Sequence, residues 1–422
     1  MNIDTLCLHA GYQPKNGEPH VLPIYQSTTY EYETTDHVGK LFDLEVDGHM
    51  YSRISNPTVA CVEEKIAALE GGVGAVCTTS GQSATFLALT NILSAGDHFI
   101  ACAQIYGGTT NLLSVTMRRF GIDVTFVDCN AGDEELHAAF RENTRAVFGE
   151  TISNPSIDLL DIERFARVAH AHGVPLIVDN TFATPVLCRP IEFGADIVIH
   201  STTKYMDGHA VVVGGAIVDS GNFDWIASGK FPGLTTPDES YHGIVYTEKF
   251  GRAAYITKLR VQLVRDLGTY PSAMNAFLLN LGLETLPLRM ERHSKNAAAV
   301  AAYMETSPKF ESVKYPTLAS HPQHDLVAKY LPNGCSGVIS AVVGGGRDGA
   351  ARFLDHLKLA SQVVHVADIR TLVLHPASST HRQLSEEMLI AAGITPGLIR
   401  FSCGCESTED IIADIEQALA FV

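Results

Sequence analysis

Two residues of opposite character stand at the ends of strand-like runs and set out what chemistry this chain could do. Lys204 follows the apolar run Asp196-Ile197-Val198-Ile199 and two hydroxyl residues, Ser201 and Thr203. Asp179 closes a second apolar run, Pro175-Leu176-Ile177-Val178, and no basic residue stands beside it. A lone lysine after a strand is most simply a solvated loop residue, but burial at the mouth of a sheet lowers its pKa and frees the amine as a nucleophile. A lysine able to form a Schiff base, with an acid able to pair with a pyridinium nitrogen, is what pyridoxal 5′-phosphate (PLP) requires of a protein.

Other residues supply the remaining parts of such a site. Ser80-Gly81-Gln82 stands just before a helical run, where free backbone N–H groups and the helix dipole make an anion site. Ser201 and Thr203 lie two residues apart, so on an extended chain their hydroxyls point the same way and would add phosphate donors. In Tyr106-Gly107-Gly108-Thr109 the glycines let backbone approach a ligand, and the tyrosine could stack on a flat ring or serve only as a half-buried turn residue. Arg400 sits between apolar neighbours in Leu398-Ile399-Arg400-Phe401-Ser402. A buried guanidinium there needs an anion, either a structural carboxylate or a substrate carboxylate that suits its planar fork.

The elements that must position these residues follow from the apolar pattern. Strands are expected at Ala75 to Thr79, His98 to Cys102, Asp123 to Asp128, Arg145 to Glu150, Leu176 to Asp179, Ile197 to His200 and Gly215 to Val218. Helices are expected between most of them, at Ala84 to Leu93, Thr110 to Phe120, Glu134 to Arg141 and Asp161 to His172. Such alternation predicts a mainly parallel seven-stranded sheet with helices on both faces and a ligand beyond the strand carboxyl ends. Before it, residues 1–60 are rich in Pro, Gly, Tyr and Thr and lack the apolar periodicity of a core, so they read as an arm that packs on something else. Residues 61–264 form the large domain, which a long helical stretch, Tyr246 to Leu267, leads out of. Residues 265–422 read as a smaller α+β domain, with helices at Ala276 to Leu281 and Arg289 to Met304 and strands at Val338 to Val343, Thr371 to Leu374 and Ile399 to Cys403. Its last helix is expected to start at Ser407 as N-cap and to bury Ile411, Ile412, Ile415 and Leu419.

Composition narrows the function class. The 422 residues are 46% hydrophobic and 18% charged, as in a folded chain, and the net charge of -17 disfavours nucleic acid and anionic membranes as partners. The apolar runs are strand-sized, so no membrane span is expected. Neither the opening residues nor the nine scattered cysteines suggest secretion, and the chain is expected to be cytoplasmic, with reduced thiols. No His or Cys spacing suggests a metal site.

Together these residues resemble the Cys/Met-metabolism family of PLP-dependent enzymes, of the aspartate aminotransferase fold type (fold type I). The resemblance runs through Tyr51-Ser52-Arg53, Asn56-Pro57-Thr58, Ser80-Gly81-Gln82, Tyr106-Gly107-Gly108-Thr109, Glu150 with Asn154-Pro155, Val178-Asp179-Asn180-Thr181, Ser201-Thr202-Thr203-Lys204-Tyr205, His375-Pro376-Ala377-Ser378 with Thr380-His381, and Ile399-Arg400. It implies that Lys204 bonds the cofactor and shuttles protons, that Asp179 holds the pyridine nitrogen, and that Tyr106 stacks on the ring. It implies a phosphate site from Ser80, Gly81, Gln82, Ser201 and Thr203. Tyr51 and Arg53 would reach the cofactor of a neighbouring subunit in a dimer-of-dimers tetramer. Asn154 would contact the cofactor and, with Ser378 and Arg400, hold the substrate carboxylate.

Within the family the sequence is similar to the branch that uses O-acetylhomoserine, through Val218 to Trp225, Pro237 to Gly243, Tyr255 to Arg260 and Leu281 to Leu286. That similarity implies γ-replacement of acetate by sulfide. The alternatives are an O-succinylhomoserine enzyme, a γ-lyase of methionine or cystathionine type, and a non-catalytic PLP-fold binding protein. Gly108 stands where methionine γ-lyases usually carry Cys, and Leu374 where cystathionine γ-lyases usually carry Glu. His209-Ala210-Val211-Val212, His365-Val366-Ala367-Asp368, Cys403 and Cys405 depart from the common family pattern.

Overall fold

The computed structural model of the chain describes residues 1–379, Arg382 and 395–422. Thr380 and His381, part of one family-like stretch, lie outside the described residues. Seven strands form the larger sheet: β1 (Gly74–Thr78), β2 (His98–Cys102), β3 (Asp123–Val127), β4 (Thr144–Glu150), β5 (Leu176–Asp179), β6 (Ile197–His200) and β7 (Gly215–Asp219). Their order is β1-β7-β6-β5-β4-β2-β3. Only β7 runs against its neighbours, β1 and β6. The central strands are apolar without alternation because helices cover both faces, and β2 and β6 are buried at every residue. All seven strands fall within one or two residues of the runs expected from sequence.

The helix Pro57–Glu70 shows how local chemistry fixes the frame. Asn56 Oδ1 accepts the Thr58 N–H at 3.0 Å, proline fills the first turn, and Gly71 ends the helix at φ +79°. Its buried face, Val59, Val62, Ile66 and Leu69, packs on β1 and β7.

A second sheet comprises β8 (Phe310–Lys314), β9 (Val338–Val343), β10 (Ser361–Gln362), β11 (Leu372–Leu374) and β12 (Leu398–Ser402), in the order β10-β11-β12-β9-β8. The helix Thr408–Leu419 closes this part of the chain, with Ser407 Oγ accepting the Asp410 N–H as its cap.

The structure departs from expectation where periodicity misleads. The stretch Tyr246 to Leu267 is not one helix. It is Tyr246–Phe250, a break at Gly251 with φ +51°, then Ala254–Leu259 and a widened turn at Arg260–Val264. The helix expected over Thr110 to Phe120 starts earlier, at Gly107–Asn111, and continues through a π turn at Leu112–Thr116 and a 3-10 turn at Met117–Phe120. Two strands have no apolar signature. β8 is an edge strand carrying Glu311 and Lys314, and β10 is two exposed residues long. Residues 1–60 contain two short helices, Ile3–His9 and Thr35–Phe42. The first packs on Pro57–Glu70, Ala273–Glu284 and Leu286–Thr306 of its own chain.

Candidate active site

Five strands of the larger sheet end at one rim, and each delivers a functional residue there. Ser80, Gly81 and Gln82 follow β1, Tyr106 follows β2, Glu150 ends β4, Asp179 ends β5, and Ser201 to Lys204 follow β6. The smaller sheet contributes Arg400 from β12 and the segment around His365 between β10 and β11. Together they enclose a cavity of about 340 Å³. Lys204, Asp179, Tyr106, Ser80, Gly81, Gln82, Asn154, Ser201, Thr203 and Arg400 all line it.

Lys204 is largely buried. Burial first, and the Arg400 charge second, lower its pKa to about 8. Its only side-chain partner among the described residues is His365, with Nζ 3.5 Å from Nδ1. The imidazole itself is pushed down to about 4 by burial and by Lys204, so it is neutral at neutral pH. Asp179 is buried, which raises its pKa. The Thr181 hydroxyl and backbone N–H oppose this, both donating to Asp179 Oδ1. Thr181 Oγ1 also accepts the Ser201 N–H at 2.8 Å, so one hydroxyl ties the acid on β5 to the turn that carries the lysine.

Arg400 is 6% exposed. Its guanidinium donates to Asn154 Oδ1 at 3.2 Å and to the carbonyls of Val364 and His365 at 2.9 and 3.2 Å. No carboxylate pairs with it among the described residues. Burial lowers its pKa to about 10, which leaves it charged at neutral pH.

The residues present fit PLP. The helix Gly81–Thr90 directs its first N–H groups at the cavity, and Ser80 and Ser83 cap it reciprocally. A Cβ on Gly81 would lie 2.6 Å from Ser201 Cβ, so the close approach of the two turns requires glycine. Gln82 Oε1 is buried without a partner. The Asp179 carboxylate sits across the same cavity, where a pyridinium N–H would be held. Thr203 differs from its neighbours, because its hydroxyl both donates to Gly214 O at 3.1 Å and accepts the Gly214 N–H at 3.0 Å.

Three of the residues expected at the site lie elsewhere in the protomer. Tyr51 is 44% exposed, and the Arg53 guanidinium stacks over its ring at 5.5 Å and donates to the Arg265 carbonyl. Ser378 lines a neighbouring pocket that meets the first at Val364. Conversely, Glu150, Thr181 and His365 line the cavity although no role was read for them from sequence.

A family model for Cys/Met-metabolism PLP-dependent enzymes matches residues 4–420. The chain belongs to this family. Among its relatives are homocysteine synthase of Schizosaccharomyces pombe, 49% identical over 99% of this chain and 98% of the relative. The O-acetyl-L-homoserine sulfhydrylase of Leptospira meyeri is 44% identical over 99% of this chain and 96% of the relative. O-acetyl-L-homoserine sulfhydrylase 1 of Thermus thermophilus is 45% identical over the whole of both chains. A crystal structure from Campylobacter jejuni, which carries N′-pyridoxyl-lysine-5′-monophosphate, superposes with a TM-score of 0.96 at 38% identity and covers all of both chains. The cofactor of this family enzyme is PLP. Among the described residues, no helix is long and apolar enough to cross a membrane.

Proposed function

We propose that this enzyme catalyses γ-replacement on O-acetyl-L-homoserine, in which sulfide displaces acetate to give L-homocysteine for methionine biosynthesis in the cytoplasm. One observation carries the reading: a buried, charged Arg400, without an anionic partner among the described residues, lines the same cavity as Lys204. An amino-acid α-carboxylate supplies that anion in the bidentate geometry a guanidinium favours. The ester is suggested by the names of the full-length relatives. The lining also favours acetyl over succinyl. Among the described residues of one protomer its only cations are Lys204 and Arg400, and both have other work in this reading, which leaves neither for a second carboxylate.

Bound covalently at Lys204, PLP supplies an electron sink for charge that develops at the substrate Cα. Asp179 holds a proton at the pyridine nitrogen, and Thr181 holds Asp179. The N–H groups of Gly81 and Gln82 and the Ser201 hydroxyl take the phosphate, while Thr203 fixes the turn through Gly214. Tyr106 packs on the ring. Arg400 and Asn154 fix the substrate carboxylate, which leaves Cα and Cβ within range of the freed Lys204 amine. Lys204 removes a proton at Cα, passes it to the cofactor and, as a free amine again, removes one at Cβ; acetate departs from Cγ, and hydrosulfide adds to that carbon. Lys204 returns the protons. Tyr106, which lines the same cavity, assists at the leaving group. Residues 1–60 act as an arm across a subunit boundary, with Tyr51 and Arg53 completing the partner's phosphate site. Residues 61–264 hold the cofactor, 265–422 close over the substrate, and Ser378 joins Arg400 there. The assembly is a homotetramer.

Steady-state assays of O-acetylhomoserine, O-succinylhomoserine and O-acetylserine with sulfide test the reading. Homocysteine from the acetyl ester should form with the highest kcat/KM. Ketobutyrate as the sole product, with or without sulfide, would instead make the enzyme a γ-lyase.

A further inference from the structure

Glu150 ends β4 as the register partner of Asp179 on β5, and the two carboxylates share the floor of the cavity. The side chain is 7% exposed. One oxygen, Oε1, accepts the Tyr106 N–H at 2.7 Å, and the other, Oε2, accepts the Asn154 N–H at 3.1 Å. These N–H groups come from different loops, one after β2 and one after β4. The Asn154 side chain then accepts from Arg400 at 3.2 Å. A single carboxylate thus spans from the ring-packing tyrosine to the partner of the substrate anchor. Placing it beside Asp179 is costly, since burial and that neighbour push the Glu150 carboxyl well above the usual range while the two N–H groups pull it back. A carboxyl group offers one oxygen to each N–H, whereas an amide in the same place would turn a donor toward one of them.

We propose that Glu150 is a positioning residue that sets Tyr106 and the Asn154–Arg400 pair at one fixed spacing, so that packing on the cofactor ring and capture of the substrate carboxylate are coupled. The inference rests on the roles given above to Tyr106 and Arg400.

Holoenzyme carrying Glu150→Gln or Glu150→Asp tests it. Glutamine keeps the volume but turns a donor toward one of the N–H groups. Aspartate keeps both oxygens and the charge but is one methylene too short to reach both loops. Both variants should raise the KM for O-acetylhomoserine by about tenfold while kcat falls less. L-norvaline, which has the carboxylate and amine without a leaving group, should bind about tenfold more weakly by absorbance titration. The visible circular dichroism of the bound cofactor, which reports how the ring is held, should change in both. Recovery of all three properties in the aspartate variant alone would show that charge beside Asp179 matters and overturn the bridge. So would values within about twofold of the parent in the glutamine variant. Thermal unfolding and cofactor content separate a folding defect from either result. Failure of the underlying site reading looks different, because the unsubstituted enzyme would then bind no norvaline, or the visible band would survive Lys204→Ala.

Discussion

In the role proposed for it, Lys204 attacks the cofactor as a neutral amine, and its surroundings favour that form. Its pKa of about 8, lowered by burial and by Arg400, leaves the ammonium form dominant below that pH and the free amine above it. Covalent PLP uptake by the apoenzyme should therefore speed up by about tenfold per pH unit below pH 8 and level off above pH 9, as followed by growth of the visible band in stopped flow. A rate that keeps climbing to pH 10 would mean an unperturbed lysine. Lys204 and Asp179 were legible in the sequence because each closes an apolar run, and a charged residue at such a boundary is conspicuous. Arg400 was legible for a related reason, as a charge inside an apolar run, and its lack of a carboxylate among the described residues favours the substrate-binding reading. Thr181 and His365 carried no such signal, and Glu150, which also ends an apolar run, gave no sign of its partners. Thr181 looks like an ordinary residue after a strand, Glu150 does its work through backbone N–H groups, and His365 reaches Lys204 from a loop 161 positions away.

At the scale of elements, the site depends on how closely two turns approach. The helix Gly81–Thr90 meets the Ser201 turn with no room for a methyl group, since a Cβ on Gly81 would stand 2.6 Å from Ser201 Cβ and 2.9 Å from its Oγ. Gly81→Ala should thus force the turns apart, lowering stability by about 2 kcal/mol in denaturant unfolding and weakening PLP binding. Adding Ser201→Gly should return only part of the stability, because it removes the Ser201 Cβ and hydroxyl but leaves its Cα 2.9 Å from the new methyl, and the lost hydroxyl keeps the affinity low. If the single variant unfolds like the parent, the turns are not as tightly apposed as the structure has them. The strands that bring these turns together were legible because a parallel sheet covered on both faces reads as unbroken apolar runs. The second sheet was less so. β8 and β10 lie at its edges and owe their pairing to neighbours that local sequence does not encode. The break at Gly251 was hidden for a related reason, since the apolar spacing continues across a backbone turn that only glycine's positive φ makes cheap.

Across the whole molecule, Tyr51 and Arg53, like Ser378, are residues of the expected site that the protomer does not bring to the Lys204 cavity. Within the protomer Arg53 spends its donors on the Arg265 carbonyl and its face on the Tyr51 ring, away from the Lys204 cavity. Residues 1–60 also leave Val21, Tyr25, Phe42, Val46 and Tyr51 substantially exposed. If the arm completes the partner's phosphate site, a Lys204→Ala chain and an Arg53→Ala chain are each defective alone but complementary in one dimer. The hybrid then holds one site with both defects and one with neither. Coexpression at equal levels puts about half of the dimers in the hybrid form, so the mixture should recover about a quarter of the parental homocysteine-forming activity, above the sum of the two variants alone. Active-site titration by cofactor reduction should find the same fraction of competent sites. If Arg53 instead serves its own chain, every hybrid site keeps a defect from one parent, and the mixed preparation shows only the average of the two variants.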